Sequence, residues 1–110
     1  FISLLKSKLG LKYISTNNPD YSKNVSKFAV VTGSGASEWR NCLKHNIDIL
    51  ITGDMKHHDA LDAREAGICI LDAGHFATEK IYMNSLAEIL EKRFKIETVI
   101  AKETSTVNII

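Results

Sequence analysis

A histidine and a glutamate stand four residues apart in the segment DAGHFATEK, residues 72–80. At the start of a helix, His75 and Glu79 would face the same side. An imidazole nitrogen and a carboxylate oxygen suit zinc, manganese or iron, so the pair could supply two metal ligands. The alternative is an ordinary helix start, in which Glu79 complements the helix dipole and His75 makes a surface hydrogen bond. Two ligands are fewer than the three that a catalytic zinc usually takes from its protein.

The neutral imidazole is the form of His75 that can bind a metal. The positive end of the helix dipole repels a cation, which predicts a neutral His75 at a helix N-terminus. Asp72, just before this helix, has two alternative roles. It could support His75 as a neighbour of the ligand, or it could accept hydrogen bonds from the backbone amides of Gly74 and His75.

A second polar segment, TGDMKHHDA, contains Asp54, His57 and His58. Adjacent residues on a helix point about 100° apart, so the two histidines are not expected to bind one ion in the same way. We expect His57 to face solvent and His58 to line a cleft together with Asp54 and Asp59. Asp54 has an alternative role as the N-cap of the helix that follows.

A third polar segment, TGSGAS, resembles a glycine-rich phosphate loop between a strand and a helix. Backbone amides at a helix N-terminus favour anions, so Gly33, Ser34 and Gly35 are candidates to contact a substrate phosphate. Glu38, however, replaces the third glycine of a dinucleotide-binding fingerprint, and no lysine follows as in a P-loop. The alternative is a tight turn with Ser34 or Ser37 as the helix cap. No serine or cysteine lies in a nucleophile-elbow sequence, so the catalytic residues stay unassigned.

Apolar segments alternate with these polar ones and must position them. Runs of apolar and β-branched residues predict buried strands at residues 28–33, 47–54 and 68–74. Helical periodicity and helix-ending residues predict helices at residues 1–9, 37–46, 57–67 and 75–94. Two short extended segments, residues 11–16 and 98–102, are weaker strand predictions.

Strands that alternate with helices predict an α/β fold, with a mostly parallel sheet and helices on both faces in three layers. The continuous apolar strands agree, because parallel strands are buried on both faces. We expect an antiparallel edge strand as well, and we predict that residues 98–102 form an edge. The loops that leave the C-terminal ends of parallel strands lie along one side of the sheet, where ligands bind. The three polar segments should therefore meet there.

The composition is that of a globular protein of one domain, with 110 residues, of which 45% are hydrophobic and 25% charged. A net charge of +1 gives no strong attraction to nucleic acid or to a membrane surface. No apolar run approaches the roughly 20 residues of a membrane helix. Cys42 and Cys69 form no CxxC motif, so we interpret them as buried thiols in a reducing, cytoplasmic compartment.

Taken in order, the segments VVTGSGAS, ILITGDMKHHDALDA and GICILDAGHFATE resemble the C-terminal half of the YbgI and YqfO-like dimetal-binding family. Its members are often described as homologues of GTP cyclohydrolase type two, and in eukaryotes as NGG-interacting-factor-like proteins. The resemblance extends over residues 11–105. We therefore expect residues 1–110 to form a single α/β domain that is the C-terminal portion of a longer family member. The start at Phe1, rather than at methionine, agrees with this expectation.

The resemblance implies a site for two divalent metal ions, which would be zinc, manganese or iron. The HxxxE motif of the family matches His75 and Glu79 and implies that both are ligands. The adjacent histidine pair and the aspartate of the family's site belong to its N-terminal half, so His57 and His58 do not match that pair. The resemblance also implies a homo-oligomer, often a ring of six subunits.

Three functions follow as expectations. The first is a hydrolase-like protein with a dinuclear metal site that acts on a nucleotide or phosphoester, in which Asp54, His58 and the TGSG segment position the substrate. This chain would carry part of that site and would be inactive alone. The second is a non-catalytic metal-binding module that regulates or contacts other proteins. The third is a plain α/β domain without chemistry.

Overall fold

The computed structural model describes residues 1–22 and 24–105 of the chain. Its helices are α1 (Ile2–Leu9), α2 (Trp39–Lys44, preceded by a 3-10 turn at Ala36–Glu38), α3 (His57–Glu65) and α4 (His75–Phe94). Its strands are β1 (Ser15–Thr16), β2 (Phe28–Ser34), β3 (Ile49–Gly53) and β4 (Cys69–Asp72). Within the described ranges, no helix is both long enough and apolar enough to cross a membrane.

The four strands form one sheet in the order β1-β4-β3-β2. Strands β2, β3 and β4 run parallel, so that Ile51 of β3 lies beside Val30 on one side and beside Leu71 on the other. Strand β1 pairs antiparallel with β4 through Ser15 and Asp72. The predicted α/β fold, with a mostly parallel sheet and an antiparallel edge strand, is confirmed.

Residues 98–102, however, are not an edge strand, and that prediction was wrong. Residues 95–105 form neither helix nor strand. They run along α4, where the Lys80 ammonium donates a hydrogen bond to the carbonyl of Glu103 at 3.2 Å, and Val99 is 89% exposed. β-branched residues favour a strand where a pleated surface is available to pack against, and this segment packs beside a helix instead.

Apolar side chains pack on both faces of the sheet, because successive residues of a strand point to opposite sides. Leu50 of β3 packs with Trp39 and the α2–α3 side, whereas Ile49 and Ile51 pack on the side of α1. All five residues of β3 are buried, as its continuous apolar run predicts. Helix α4 contacts β2 and β3, so it supports the end of the sheet at which the polar segments lie.

Helix α4 extends beyond the sheet that it covers. It has 20 residues, a length of about 30 Å at the usual rise, whereas a strand of β3's size is about 17 Å long. Of the residues of α4, all of which the structure describes, only Thr78 is buried. The periodicity predicted this helix correctly, but its apolar stripe is partly open, with Met83 40% and Phe94 59% exposed.

Asn17, which the sequence pattern did not single out, holds β1 against the rest of the sheet. Its side-chain nitrogen donates hydrogen bonds to the carbonyls of Ala60 and Ile68, both at 3.1 Å. Its side-chain oxygen accepts from the amide of Ile70 at 2.7 Å. A buried amide that satisfies three backbone groups fixes the edge strand in place, and this strand borders the cleft described next.

Candidate metal-binding site

The three polar segments meet at one edge of the sheet, as the parallel topology predicts. The TGSGAS segment ends β2, Asp54 follows β3, and His75 begins α4 just after β4. The end of β3 touches the start of α4: a Cβ on Gly53 would lie 2.6 Å from the backbone nitrogen of His75. Glycine at residue 53 is therefore needed for the close approach that places His75 beside Asp54.

The imidazole of His75 lies between two carboxylates. Its Nδ1 is 2.6 Å from Oδ2 of Asp54, and its Nε2 is 3.1 Å from Oε1 of Glu79. All three side chains are about half exposed, at 48% for His75, 50% for Asp54 and 54% for Glu79. As the four-residue spacing predicts, His75 and Glu79 lie on the same side of α4, and Nε2 is the ring atom that faces Glu79.

These carboxylates raise the pKa of His75 above its ordinary value. The hydrogen bond to Asp54 contributes most, partial burial opposes it, and the negative charges of Glu79 and Asp54 add to the increase. The helix N-terminus by itself predicts a neutral imidazole, but the two acids act in the opposite direction. A proton on Nε2 therefore competes with any metal ion at that atom.

Asp54 has no capping role in α3. The N-cap of α3 is Lys56, and the helix begins without a side-chain cap hydrogen bond, so the alternative that Asp54 is the cap was wrong. Asp54 has a φ of 53°, in the left-handed region, which aspartate and asparagine tolerate better than most residues. Its carboxylate is instead turned toward the ring of His75.

Gly33, at the end of β2, leaves space beside the two donor atoms of α4. A Cβ at this position would lie 2.7 Å from Oε1 of Glu79 and 3.3 Å from Nε2 of His75. The φ of Gly33 is 65°, a conformation that costs a residue with a Cβ. Residue 33 thus meets both a steric and a conformational requirement for glycine at the site.

The backbone amides of both glycines in the TGSGAS segment are engaged inside the protein. The amide of Gly33 donates to the hydroxyl of Thr78 at 3.0 Å, and the amide of Gly35 donates to the hydroxyl of Thr52 at 2.9 Å. Ser34 is exposed, and the 3-10 turn that follows starts without a side-chain cap hydrogen bond. The structure therefore gives these two amides a positioning role, and the exposed side chains of Thr32, Ser34 and Ser37 are the accessible polar groups of the segment.

Asp72 joins the loop after β3 to the loop after β4. Its Oδ2 accepts a hydrogen bond from the amide of Met55 at 2.8 Å, and its Oδ1 accepts from the amide of Gly74 at 2.8 Å. Asp72 therefore has the second of its two predicted roles, that of an acceptor for backbone amides. It accepts from the amide of Gly74, as expected, and from the amide of Met55 instead of that of His75. The carboxylate holds together the residue after Asp54 and the residue before His75.

His57 and His58 occupy the first turn of α3 and are exposed. Their rings contact each other, with centroids 5.5 Å apart. His58 is not among the described residues that line the cleft beside His75. The structure thus brings Asp54, Asp72, His75 and Glu79 together, as the topology predicts, but does not bring His58 to them.

A cleft of about 630 Å³ opens beside His75 and Glu79. Its walls include the carboxylates of Asp54 and Asp72 and two aromatic side chains, Tyr13 and Phe76. The sequence reasoning missed both aromatic residues, because neither belongs to a ligand motif. Only their positions in the sequence could have indicated this role, since Tyr13 just precedes the edge strand and Phe76 follows His75.

Among residues 1–22 and 24–105, no three histidine, cysteine, aspartate or glutamate side chains are arranged to hold one metal ion. Asp54 contacts Nδ1, on the opposite side of the imidazole from Nε2, so it does not join Glu79 on one ion. Nε2 of His75 and the carboxylate of Glu79 are a pair of neighbouring donor atoms, 3.1 Å apart.

The sequence profile of the Duf34/NIF3 family (NGG1p interacting factor 3) matches residues 1–106. A Clostridium perfringens protein named GTP cyclohydrolase 1 type 2 homolog is 35% identical over 104 residues, which cover 93% of this chain and 39% of that protein. The chain spans well under half of the length of the curated relatives that it matches.

Several solved structures share the fold. The crystal structure of Staphylococcus aureus protein SA1388 is similar with a TM-score of 0.86 and 26% identity, over 98% of this chain and 36% of that one. The protein ybgI, solved as a protein of unknown function, is similar with a TM-score of 0.82 and 26% identity, over 96% of this chain and 42% of that one.

Proposed function

Because this chain belongs to the Duf34/NIF3 family, as its motifs predict, we propose that His75 and Glu79 are two ligands of a divalent metal ion in a hydrolase-like protein. One observation carries the proposal: Nε2 of His75 and Oε1 of Glu79 are 3.1 Å apart. Two ligands that each lie about 2.1 Å from one ion are on the order of 3 Å from each other. The two atoms therefore have the spacing of neighbouring ligands.

The chemistry and surroundings of these atoms fit such an ion. A histidine nitrogen with a carboxylate oxygen suits zinc, manganese or iron. Both side chains are about half exposed, so an ion can reach them from solvent. Gly33 supports the same conclusion, because a side chain at that position would fill the space next to the two donor atoms.

The remaining ligands are proposed to come from polypeptide outside this chain. The family resemblance implies a histidine pair and an aspartate there, and a complete site with two ions. The relatives are much longer than this chain, which covers 39% of the Clostridium perfringens protein. Two protein ligands are fewer than a catalytic zinc usually has, so we expect this chain alone to bind metal weakly and to be inactive.

When bound, a divalent metal supplies a hydroxide nucleophile near neutral pH and polarises a substrate oxygen. The residues of this chain contribute the surroundings of that chemistry. His75 and Glu79 would hold the ion, while Gly33 keeps the adjacent space open. Tyr13 and Phe76 border the neighbouring cleft, where an aromatic ring of a substrate can pack against them and exclude water.

The substrate proposed is a nucleotide or a phosphoester. The curated relatives are named as homologues of GTP cyclohydrolase, and the cleft of about 630 Å³ is large enough for a small molecule of this kind. The amides of Gly33 and Gly35 already have acceptors, so the TGSG segment would contact a phosphate through Ser34 rather than through a cradle of amides.

A second candidate is a non-catalytic metal-binding module with a regulatory role. One observation favours it: the acids and the imidazole at this edge already hydrogen-bond within the protein. Asp54 and Glu79 contact His75, and Asp72 binds two backbone amides. With His75 and Glu79 as ligands and Asp72 held by two amides, these residues would not provide a separate general acid or base, which a hydrolase commonly uses.

The proposal extends to a cytoplasmic homo-oligomer, as the family resemblance implies. Helix α4 offers apolar side chains for subunit contacts, since Tyr82 is 53%, Ile89 55% and Phe94 59% exposed. Buried free thiols are compatible with a reducing compartment. Sedimentation of the intact protein would measure the number of subunits, and a strictly monomeric protein would contradict this part.

Elemental analysis of the purified intact protein tests the ligand assignment. We expect the metal content to fall in His75→Ala and in Glu79→Ala, but not in Glu88→Ala, a control on the exposed part of the same helix. Unchanged metal in both site variants would overturn the proposal. If metal is lost, turnover of GTP and of phosphoesters by the wild type separates the two candidates, because the regulatory module would bind metal without turnover.

A further inference from the structure

We infer that Asp54 is a positioning residue, which holds the imidazole of His75 in the tautomer that presents a free lone pair at Nε2 toward Glu79. The consequence for metal binding rests on the proposed function, whereas the tautomer itself does not. The inference starts from two distances: Nδ1 to Asp54 is 2.6 Å, and Nε2 to Glu79 is 3.1 Å.

In a neutral imidazole, one ring nitrogen donates a hydrogen bond and the other accepts. Both neighbours of the ring are acids that accept, so they compete for a single proton. The distances decide between them, because 2.6 Å is at the short end of the range for a charge-assisted hydrogen bond, whereas 3.1 Å is at the long end for an N–H donor. The proton therefore lies on Nδ1, between the ring and Asp54, and the lone pair lies on Nε2.

The backbone supports this use of Asp54. Asp54 has a φ of 53°, a strained conformation for a residue with a Cβ, and it is kept there although it does not cap α3. The next residue, Met55, is tied by its amide to Asp72. The close contact of Gly53 with the start of α4 completes the frame. The backbone conformation of Asp54, the hydrogen bond of Met55 and the close contact of Gly53 together place the carboxylate of Asp54 beside Nδ1 of His75.

Asp54→Asn is the sharpest variant, because asparagine tolerates a positive φ as well as aspartate does. Its side-chain NH2 can donate to Nδ1, which would move the ring proton to Nε2 and block the lone pair that faces Glu79. Asp54→Gly keeps the backbone conformation without any acceptor, and Glu79 then becomes the remaining acceptor for the ring proton. Asp62→Asn is the matched control, since Asp62 is 48% exposed and lies outside the site.

The first readout is the nitrogen-15 NMR spectrum of the His75 ring in metal-free protein, at a pH above that at which the ring is protonated. We expect the Nδ1–H tautomer in the wild type and in Asp62→Asn, and the Nε2–H tautomer in Asp54→Asn and Asp54→Gly. Comparison with His75→Ala assigns the signals. A wild-type ring in the Nε2–H form, or the same tautomer in Asp54→Gly as in the wild type, would overturn the inference.

The second readout is zinc binding to the intact protein by calorimetry. Removing a hydrogen-bond partner of a ligating histidine typically weakens metal affinity about 10–100-fold, and we expect this loss in both Asp54 variants but not in Asp62→Asn. Zinc affinity within twofold of the wild type in Asp54→Asn would overturn the positioning role. If the wild type bound no zinc while the tautomer still depended on Asp54, the proposed function would fail and the tautomer assignment would stand.

Discussion

The amide of Gly33 donates a hydrogen bond to the hydroxyl of Thr78 at 3.0 Å, in the interior of the protein. Thr78 lies on α4 between the two proposed ligands. Its hydroxyl is also within hydrogen-bond distance of the carbonyl of His75, at 2.8 Å. One side chain therefore ties the end of β2 to the turn of helix that carries His75 and Glu79, and it does so without being a ligand itself.

Thr78→Val should destabilise the protein although it conserves shape and volume. The amide of Gly33 would stay buried without its acceptor, and an unsatisfied buried donor costs about 1–3 kcal/mol. Urea denaturation measures the free energy of unfolding. Thr78→Ser, which keeps the hydroxyl, is the control and should retain most of the stability. Equal midpoints for the valine variant and the wild type would show that this hydrogen bond contributes little.

Gly33→Ala should lose both stability and metal affinity. Alanine at positive φ costs on the order of 1 kcal/mol, and its Cβ would also lie 2.7 Å from Oε1 of Glu79. Gly10→Ala is a closely matched control, because Gly10 has a φ of 67° and a Cβ there would meet nothing within 4 Å. We expect similar changes in unfolding free energy from backbone strain, with zinc binding weakened in the Gly33 variant alone.

If zinc affinity fell equally in both variants, the loss would come from general destabilisation rather than from the space beside the ligands. Calorimetric titration with zinc at a temperature well below unfolding separates these causes. A wild-type affinity in Gly33→Ala would contradict the role assigned to Gly33.

Much of this arrangement follows from the sequence because it depends on local periodicity. The apolar run of β3 predicts a central strand, and the topology then places Asp54, Asp72 and His75 at one edge. The spacing of His75 and Glu79 predicts that they share a side of the helix. The burial of Cys42 and Cys69, both free thiols, was also predicted correctly.

The rest depends on tertiary contacts that no local pattern encodes. Thr78 looks like any helical threonine until β2 is placed against it, and the same is true of Asn17. The glycines of TGSGAS have the spacing of a phosphate-binding loop, but their amides donate hydrogen bonds to Thr78 and Thr52 on other elements. Residues 98–102 have strand-forming composition, yet β1 rather than this segment pairs beside β4. A strand forms only where it can pair with a neighbouring strand, and local sequence does not indicate which segment will lie beside β4.

The buried thiols predict a loss of stability at alkaline pH. Burial raises the pKa of Cys42 and, against a smaller opposite effect of the hydrogen bond with Thr16, that of Cys69. The unfolded chain therefore loses thiol protons first, near pH 8.5. The stabilising contribution is fully present below that pH and is lost as the pH rises through the higher pKa of the folded state.

Urea midpoints between about pH 7.5 and 9.5 would measure this effect, because that range brackets the ordinary thiol pKa. We expect a smaller decline in the double variant Cys42→Ala and Cys69→Ala than in the wild type. We also expect the folded protein to react slowly with dithionitrobenzoate and the urea-unfolded protein to react at once. Equal pH dependence in both proteins would refute the assignment to the thiols.

Asp72→Asn should loosen the two loops that carry Asp54 and His75. The carboxylate of Asp72 accepts hydrogen bonds from two amides with its two oxygens, whereas an asparagine side chain has one accepting oxygen and turns its NH2 toward the other amide. Losing one such bond to a charged acceptor costs about 1.5–3 kcal/mol. Because Met55 follows Asp54 and Gly74 precedes His75, zinc affinity should fall as well. Asp20→Asn, on an exposed loop, is the control for both measurements, and a wild-type urea midpoint in Asp72→Asn would mean that the loops hold their positions without this bridge.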